Sequence, residues 1–371
     1  RAARTCRTRA PGPGIGAAES GATVPPCPEV APCPPAGFGP SSRPMSRPPL
    51  PPLPPVPPRP GLFRQTPPAA FTPVFGLLGL GLAWRRAAEA FALPAGWPET
   101  LLGAVTLLFL FVLAAYLAKA ARRPGVVAED LRVLPGRAGL TAASLSVLLL
   151  AAVAVPYSAA LARALLFAGL GLHAALALAF LAALAKGPPE QRRASPVWHL
   201  AFVGFILAPL SAVPLGLTGL SLAILKATVP VALLVWAVSA VGLVRHGMPP
   251  PLRPLLAIHL APAALFATVS AMLGLPQLAL VASLAMLALL ALLLARARWI
   301  AAAGFSPIWG SFTFPAAAAA SASLAQGAEP FRSLGGVLVV AATLAIPPIA
   351  WKVMQLWAKG RLAPATNAAI A

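Results

Sequence analysis

Arg85, Arg86, Arg163 and Lys226 stand within or at the ends of otherwise apolar stretches, where a cation must find a partner. Two chemistries are open to them. An electropositive pore would draw anions towards Arg85 and Arg86. Alternatively, Arg85 pairs with Glu89 one helical turn on, while Arg163 and Lys226 run their aliphatic stems out to an interface. Other reactive groups are sparse. Glu89 is the only carboxylate at a plausible depth, and His173 and His259 lie on different segments without the spacing of metal ligands, so no metal or cofactor is expected. His259, beside Pro262, reads as a packing histidine. No GxSxG, HExxH, phosphate-loop or dinucleotide fingerprint occurs, which leaves a membrane-embedded enzyme as the remote alternative. A proton-coupled carrier would want intramembrane acids as relays, and their scarcity points instead to passive permeation.

The stretch FSPIWGSFTFPAAAAASASLAQ, residues 305–326, is long enough to cross a bilayer and carries no charge. Pro315 has no N–H for the carbonyl of Ser311, and its ring crowds that turn, so a kink or break is expected there. Irregular backbone at membrane depth is tolerated only where protein or a water-filled cavity surrounds it, so the kink should face inward. Phe312 and Phe314 are about 200° apart around a regular helix, so one faces the axis and the other packs. Phe314 adjoins the break and is the candidate for the axis. The Ala/Ser run that follows is slim enough to let neighbouring backbones approach.

The order Phe305, Trp309, Phe312, Phe314, Pro315 followed by small residues resembles the ninth helix of the tellurite-resistance and C4-dicarboxylate transporter family, which includes the plant guard-cell slow anion channels. FGLLGLGLAWRRA at 75–87 is similar to that family's first helix, and IHLAPAALF at 258–266 to its seventh. The resemblance covers about 71–361. It implies five helical hairpins around a central pore with the odd-numbered helices inside, a pore-occluding phenylalanine in the ninth helix, and homotrimers. It also implies small inorganic or carboxylate anions as substrates. An ion-coupled C4-dicarboxylate, tellurite or sulfite transporter on the same scaffold is the alternative.

The elements that must hold these residues can be counted from the breaks between apolar runs. Spanning helices are predicted at 71–93, 99–121, 139–155, 159–185, 198–215, 220–244, 252–273, 277–294, 306–324 and 335–356, giving an all-α polytopic membrane protein of ten helices. Alternate loops carry the basic residues: Lys119, Arg122, Arg123, Arg132 and Arg137, then Lys186, Arg192 and Arg193, then Arg245 and Arg253, then Arg296 and Arg298. That alternation fits five tandem hairpins with both termini cytoplasmic in an inner (plasma) membrane. Breakers mark the inner helices as pore-lining or kink positions, with Gly79 in the first, Pro209 in the fifth, Pro262 in the seventh and Pro315 in the ninth. The third has only Ser144 and Ser146. Trp97, Trp198, Trp299 and Trp357 fall at or near helix ends, as interfacial anchors do.

Hydrophobic residues make up 59% of the chain and charged residues 10%, which is outside the range of soluble domains. The formal charge of +20 is spread over tails and short loops, with no folded basic face for nucleic acid. Residues 1–70 hold 21 of the 45 prolines and read as an extended, Pro/Arg-rich N-terminal tail, with residues 71–361 as the membrane domain and 362–371 as a short C-terminal tail. Cys6, Cys27 and Cys33 all fall in the first tail, so no disulfide or Cys-ligated metal holds the membrane part together.

Overall fold

A computed structural model describes residues 61, 63–188, 192 and 194–371; the proline-rich stretch 48–60 and most of the predicted N-terminal tail lie outside these. The described residues are all-helical, and seven helices among them are long and apolar enough to cross a membrane. The chain runs α1 (Phe71–Phe91), α2 (Gly96–Arg122), a short α3 (Gly125–Asp130), α4 (Leu134–Ala154) and α5 (Ala159–Lys186). A broken segment follows, in which a π-turn (His199–Val203) and a 3-10 turn (Gly204–Leu207) lead into a short α6 (Pro209–Ala212). Next come α7 (Thr218–His246), a 3-10 stretch (Pro250–His259) continuing into α8 (Leu260–Met272), α9 (Pro276–Ala295) and α10 (Ala297–Ile300). A 3-10 turn (Pro307–Phe312) then leads into α11 (Thr313–Ala325), followed by α12 (Phe331–Ala358) and α13 (Leu362–Ala365).

Burial sorts these elements into two sets. The apolar spans of α4 and of Pro250–Met272 are 78% and 83% buried, whereas those of α2, α5, α7, α9 and α12 are only 17% to 33% buried. The exposed set is apolar on nearly every side, as helices facing lipid must be. Each inner segment packs on the outer helix that follows it, and the inner segments contact one another in chain order, with α11 returning to α1. The result is a closed ring of five inner segments, α1, α4, 199–212, 250–272 and 307–325.

Each inner segment begins its α-helical part with a proline in the first turn. Pro73, Pro262 and Pro315 are the third residues of α1, α8 and α11, Pro135 is the second of α4, and Pro209 the first of α6. First-turn N–H groups have no acceptor within the helix, so the missing donor of proline is harmless there. Its ring still obstructs an α-turn before it, and tight 3-10 turns precede Pro73, Pro209, Pro262 and Pro315. This corrects the expected position of the break in the ninth span. It falls between Phe312 and Thr313, nearly a turn ahead of Pro315. Four of the ten predicted spans are therefore not uniform apolar helices: α1 carries Arg85, Arg86 and Glu89, and 199–212, 250–272 and 307–325 are assembled from pieces.

Two charges expected in a loop are instead completely buried. Lys119 Nζ donates to Asp130 Oδ2 at 2.8 Å and to the carbonyl of Thr66 at 3.0 Å, and the Tyr116 hydroxyl donates to the same carboxylate at 2.9 Å. The Ala369 N–H donates to Asp130 Oδ1 at 2.8 Å. The last residues, expected as a free tail, fold back, with Leu362, Ala363 and Thr366 buried.

Candidate functional site

Side chains three and four residues apart fall on one face of a helix, and the ring turns five such faces towards a common axis. On α1 the stripe is Phe75, Gly79 and Leu82, on α4 it is Ala142, Leu145 and Leu149, and on α11 it is Phe314, Ala318 and Ser321. The other two faces carry Val203, Leu207 and Leu210, and Ala261, Leu265 and Thr268. These stripes enclose two small cavities of about 50 Å³ and about 20 Å³, each lined by all five inner segments. Such volumes hold a few waters at most and no hydrated anion, so the axis is closed.

Leu265 and Phe314 are the two residues that line both cavities. Phe314 is 7% exposed and stacks on Phe75, with ring centroids 4.0 Å apart and an interplanar angle of 20°. The stack depends on glycine. A methyl group at Gly79 would lie 2.9 Å from Phe314 Cδ2, and one at Gly76 would run into Thr313. Phe312 is half-buried, lines neither cavity, and packs edge-on against Trp309 at 5.5 Å. Pro262 and Pro315 line the larger cavity and Gly79 the smaller, while Pro209 lines neither and starts α6.

The sequence matches the voltage-dependent anion channel family over residues 65–353. The chain belongs to that family. It is a multi-pass membrane protein with an anion channel or transporter role. No individual curated protein matches it.

For an anion channel family member the disposition of the two candidate arginines matters most. Arg85 is spent on structure. Its Nε and Nη2 donate to the two carboxylate oxygens of Glu99, each at 2.6 Å, and Nη1 and Nη2 reach the carbonyls of Ala152 and Val153 at 3.2 and 3.3 Å. The expected partner, Glu89, lies on the exposed face of α1 instead. A planar guanidinium matches a carboxylate through two parallel hydrogen bonds, and the α1–α2 turn brings Glu99 to where this fit is possible. Tyr157 also donates to Glu99, which holds the Tyr157 hydroxyl above its usual pKa. Glu89 is thus not the carboxylate that counts in this fold; Glu99 and Asp130 are.

Arg86 is different. It continues the Phe75, Gly79, Leu82 stripe by one more turn and is half-buried. Its one hydrogen bond among the described residues is from Nη2 to the thioether of Met272, at 3.3 Å. Met272 in turn continues the Leu265, Thr268 stripe of α8. A guanidinium held at the end of two axial stripes against a weak sulfur acceptor keeps donors for an anion. Deeper along the axis, the Ser321 hydroxyl lines the smaller cavity and makes no hydrogen bond among the described residues.

His259, read from the sequence as a packing histidine, has a hydrogen-bond partner on another segment. His259 Nδ1 lies 3.0 Å from Nε2 of His199, a residue that sequence reasoning passed over, and His199 lines the larger cavity. His173 Nδ1 lies 2.9 Å from Ser144 Oγ. Nothing local in the sequence announces a pair sixty residues apart. Arg163 and Lys226 are both exposed on outer helices.

Proposed function

We propose that the chain is a passive anion channel or uniporter, with one pore along the ring axis of each protomer and Phe314 as its gate. The observation that supports this reading is that Phe314 and Leu265 are the two residues lining both axial cavities, each of which is lined by the same five segments. A stacked pair of phenyl rings blocks such a path by filling it and by keeping the remaining space too dry for a hydrated anion. Arg86 at the end of the path draws small inorganic or carboxylate anions, and Ser321 offers a hydroxyl within it. Neither cavity is lined by an Asp or Glu, which favours uncoupled permeation over proton-coupled transport.

In this reading the ten segments cross a plasma membrane as five hairpins with both termini cytoplasmic, and the protein assembles as a homotrimer. The test is electrical. Phe314→Ala in planar bilayers should raise basal anion conductance by about tenfold or more, because truncation joins the two cavities, while the reversal potential follows the anion gradient alone. Unchanged conductance from correctly folded Phe314→Ala protein would move the gate elsewhere. A reversal potential that shifts with a proton or sodium gradient would make the protein a coupled transporter.

A further inference from the structure

Two neighbouring arginines on α1 have very different partners. Arg85 is held by both carboxylate oxygens of Glu99 and by two carbonyls, whereas Arg86 makes one hydrogen bond among the described residues, to the Met272 thioether at 3.3 Å. Glu89, one turn further along α1, is exposed and forms no ion pair with Arg86. A thioether is a weak acceptor, so the contact places the guanidinium while leaving most of its donors unused.

The sulfur is the half of this pair that chemistry can change. Met272 is the last residue of α8 and is half-buried, and the chain is exposed two residues later at Gly274, so a small water-borne oxidant can reach it. Met286 is 0% exposed. Met248 and Met354 are half-buried, but neither sulfur is hydrogen-bonded among the described residues. Met272 is thus the methionine at which access and a facing cation coincide.

We infer that Met272 is a site of reversible oxidation whose sulfoxide oxygen takes over the donors of Arg86 and withdraws them from anions on the axial path. The oxidant is hydrogen peroxide. A sulfur lone pair attacks one peroxide oxygen, and the O–O bond breaks as the S–O bond forms. The proton of the transferred oxygen passes to the departing hydroxide, giving water; sulfur loses two electrons and the peroxide gains them. A strong acceptor then replaces a weak one, on a side chain with three rotatable bonds that already touches a guanidinium. Methionine sulfoxide reductases reverse the change, one enzyme for each epimer. The loss of anion attraction rests on the reading of Arg86 as the anion-drawing group; the oxidation and the capture of Arg86 do not.

Full-length protein in detergent, with its cysteines alkylated, is treated with hydrogen peroxide and mapped by peptide mass spectrometry. Met272 should be converted about tenfold faster than Met286. Phenylglyoxal, which attacks free guanidinium groups, should then label Arg86 about fivefold more slowly than in untreated protein, with the exposed Arg296 labelled as before. Both reductases together should restore the original rate, and peroxide should not alter the rate in Met272→Leu, a substitution of similar volume. In planar bilayers at low salt the same treatment should lower wild-type anion conductance about two- to fivefold and leave Met272→Leu at its own untreated value. Conversion of Met272 no faster than that of Met286 overturns the inference, as does an unchanged labelling rate of Arg86 beside the sulfoxide. Slower labelling with unchanged conductance supports the oxidation site and overturns Arg86 as the anion-drawing group, which an inert Arg86→Gln would show independently.

Discussion

The outer helices and the inner segments are made from similar amounts of apolar sequence, yet they obey different rules. α2, α5, α7, α9 and α12 are uninterrupted helices of 20 to 29 residues with most of their surface exposed. The inner segments are α-helices of 4 to 21 residues, all but α4 preceded by 3-10 or π turns, with prolines in their first turns and glycines at several contacts. Lipid cannot satisfy a free backbone group, so a helix facing it stays continuous, as α7 does through Pro230 and α12 through Pro347 and Pro348. A segment surrounded by protein is released from that demand. The freedom is used here to bring backbones close and to aim Phe314, which a straight helix through residues 305–326 would carry elsewhere.

The most damaging change should be at an inner contact. A β-branched side chain at Gly76 meets the side chain and backbone of Thr313, neither of which can yield. Gly76→Val should therefore cost more than the ~1–3 kcal/mol of ordinary overpacking and leave little monodisperse protein by size-exclusion chromatography. A normal elution profile would mean that α1 and α11 are not locked together.

The next test compares one leucine from each layer. Leu148 on α4 is 0% exposed and Leu107 on α2 is 69% exposed. Leu148→Ala should destabilise by about 2–5 kcal/mol, and Leu107→Ala by no more than about 0.5 kcal/mol, read as thermal or denaturant shifts in the same detergent. Equal effects would show that α2 is covered by another protein surface rather than by lipid.

The smallest expected effect is functional. Arg86→Gln should lower anion conductance about two- to fivefold at low salt, with the difference shrinking as salt screens the charge. Arg85→Gln should instead lower stability, because it leaves Glu99 without its bidentate partner. If the two substitutions act alike on conductance, the division of labour between the arginines fails.

The sequence made the outer layer readable to within about four residues, because long apolar runs bounded by charges have one physical solution in a membrane. The prediction at 159–185 and the observed Ala159–Lys186 differ by a single position. The inner layer was legible in its ingredients but not its joints. Pro262 and Pro315 are present as expected, but the change of helix type precedes each of them, since proline disturbs the turn before it rather than its own position. Partners distant in sequence stayed hidden. The local rule of one helical turn pointed Arg85 to Glu89, whereas Glu99 wins by geometry across a hairpin, and His199 acquires meaning only when His259 is placed beside it.

The buried Lys119 and Asp130 side chains tie in the segment before α1 and the segment after α13, through the Thr66 carbonyl and the Ala369 N–H. They sit where the first hairpin meets the last, so they act as the buckle of a hoop whose other joints are continuous polypeptide. Losing either side chain would leave the other as a desolvated charge without its partner, at a cost of about 3–5 kcal/mol, and would release the Thr66 and Ala369 segments together.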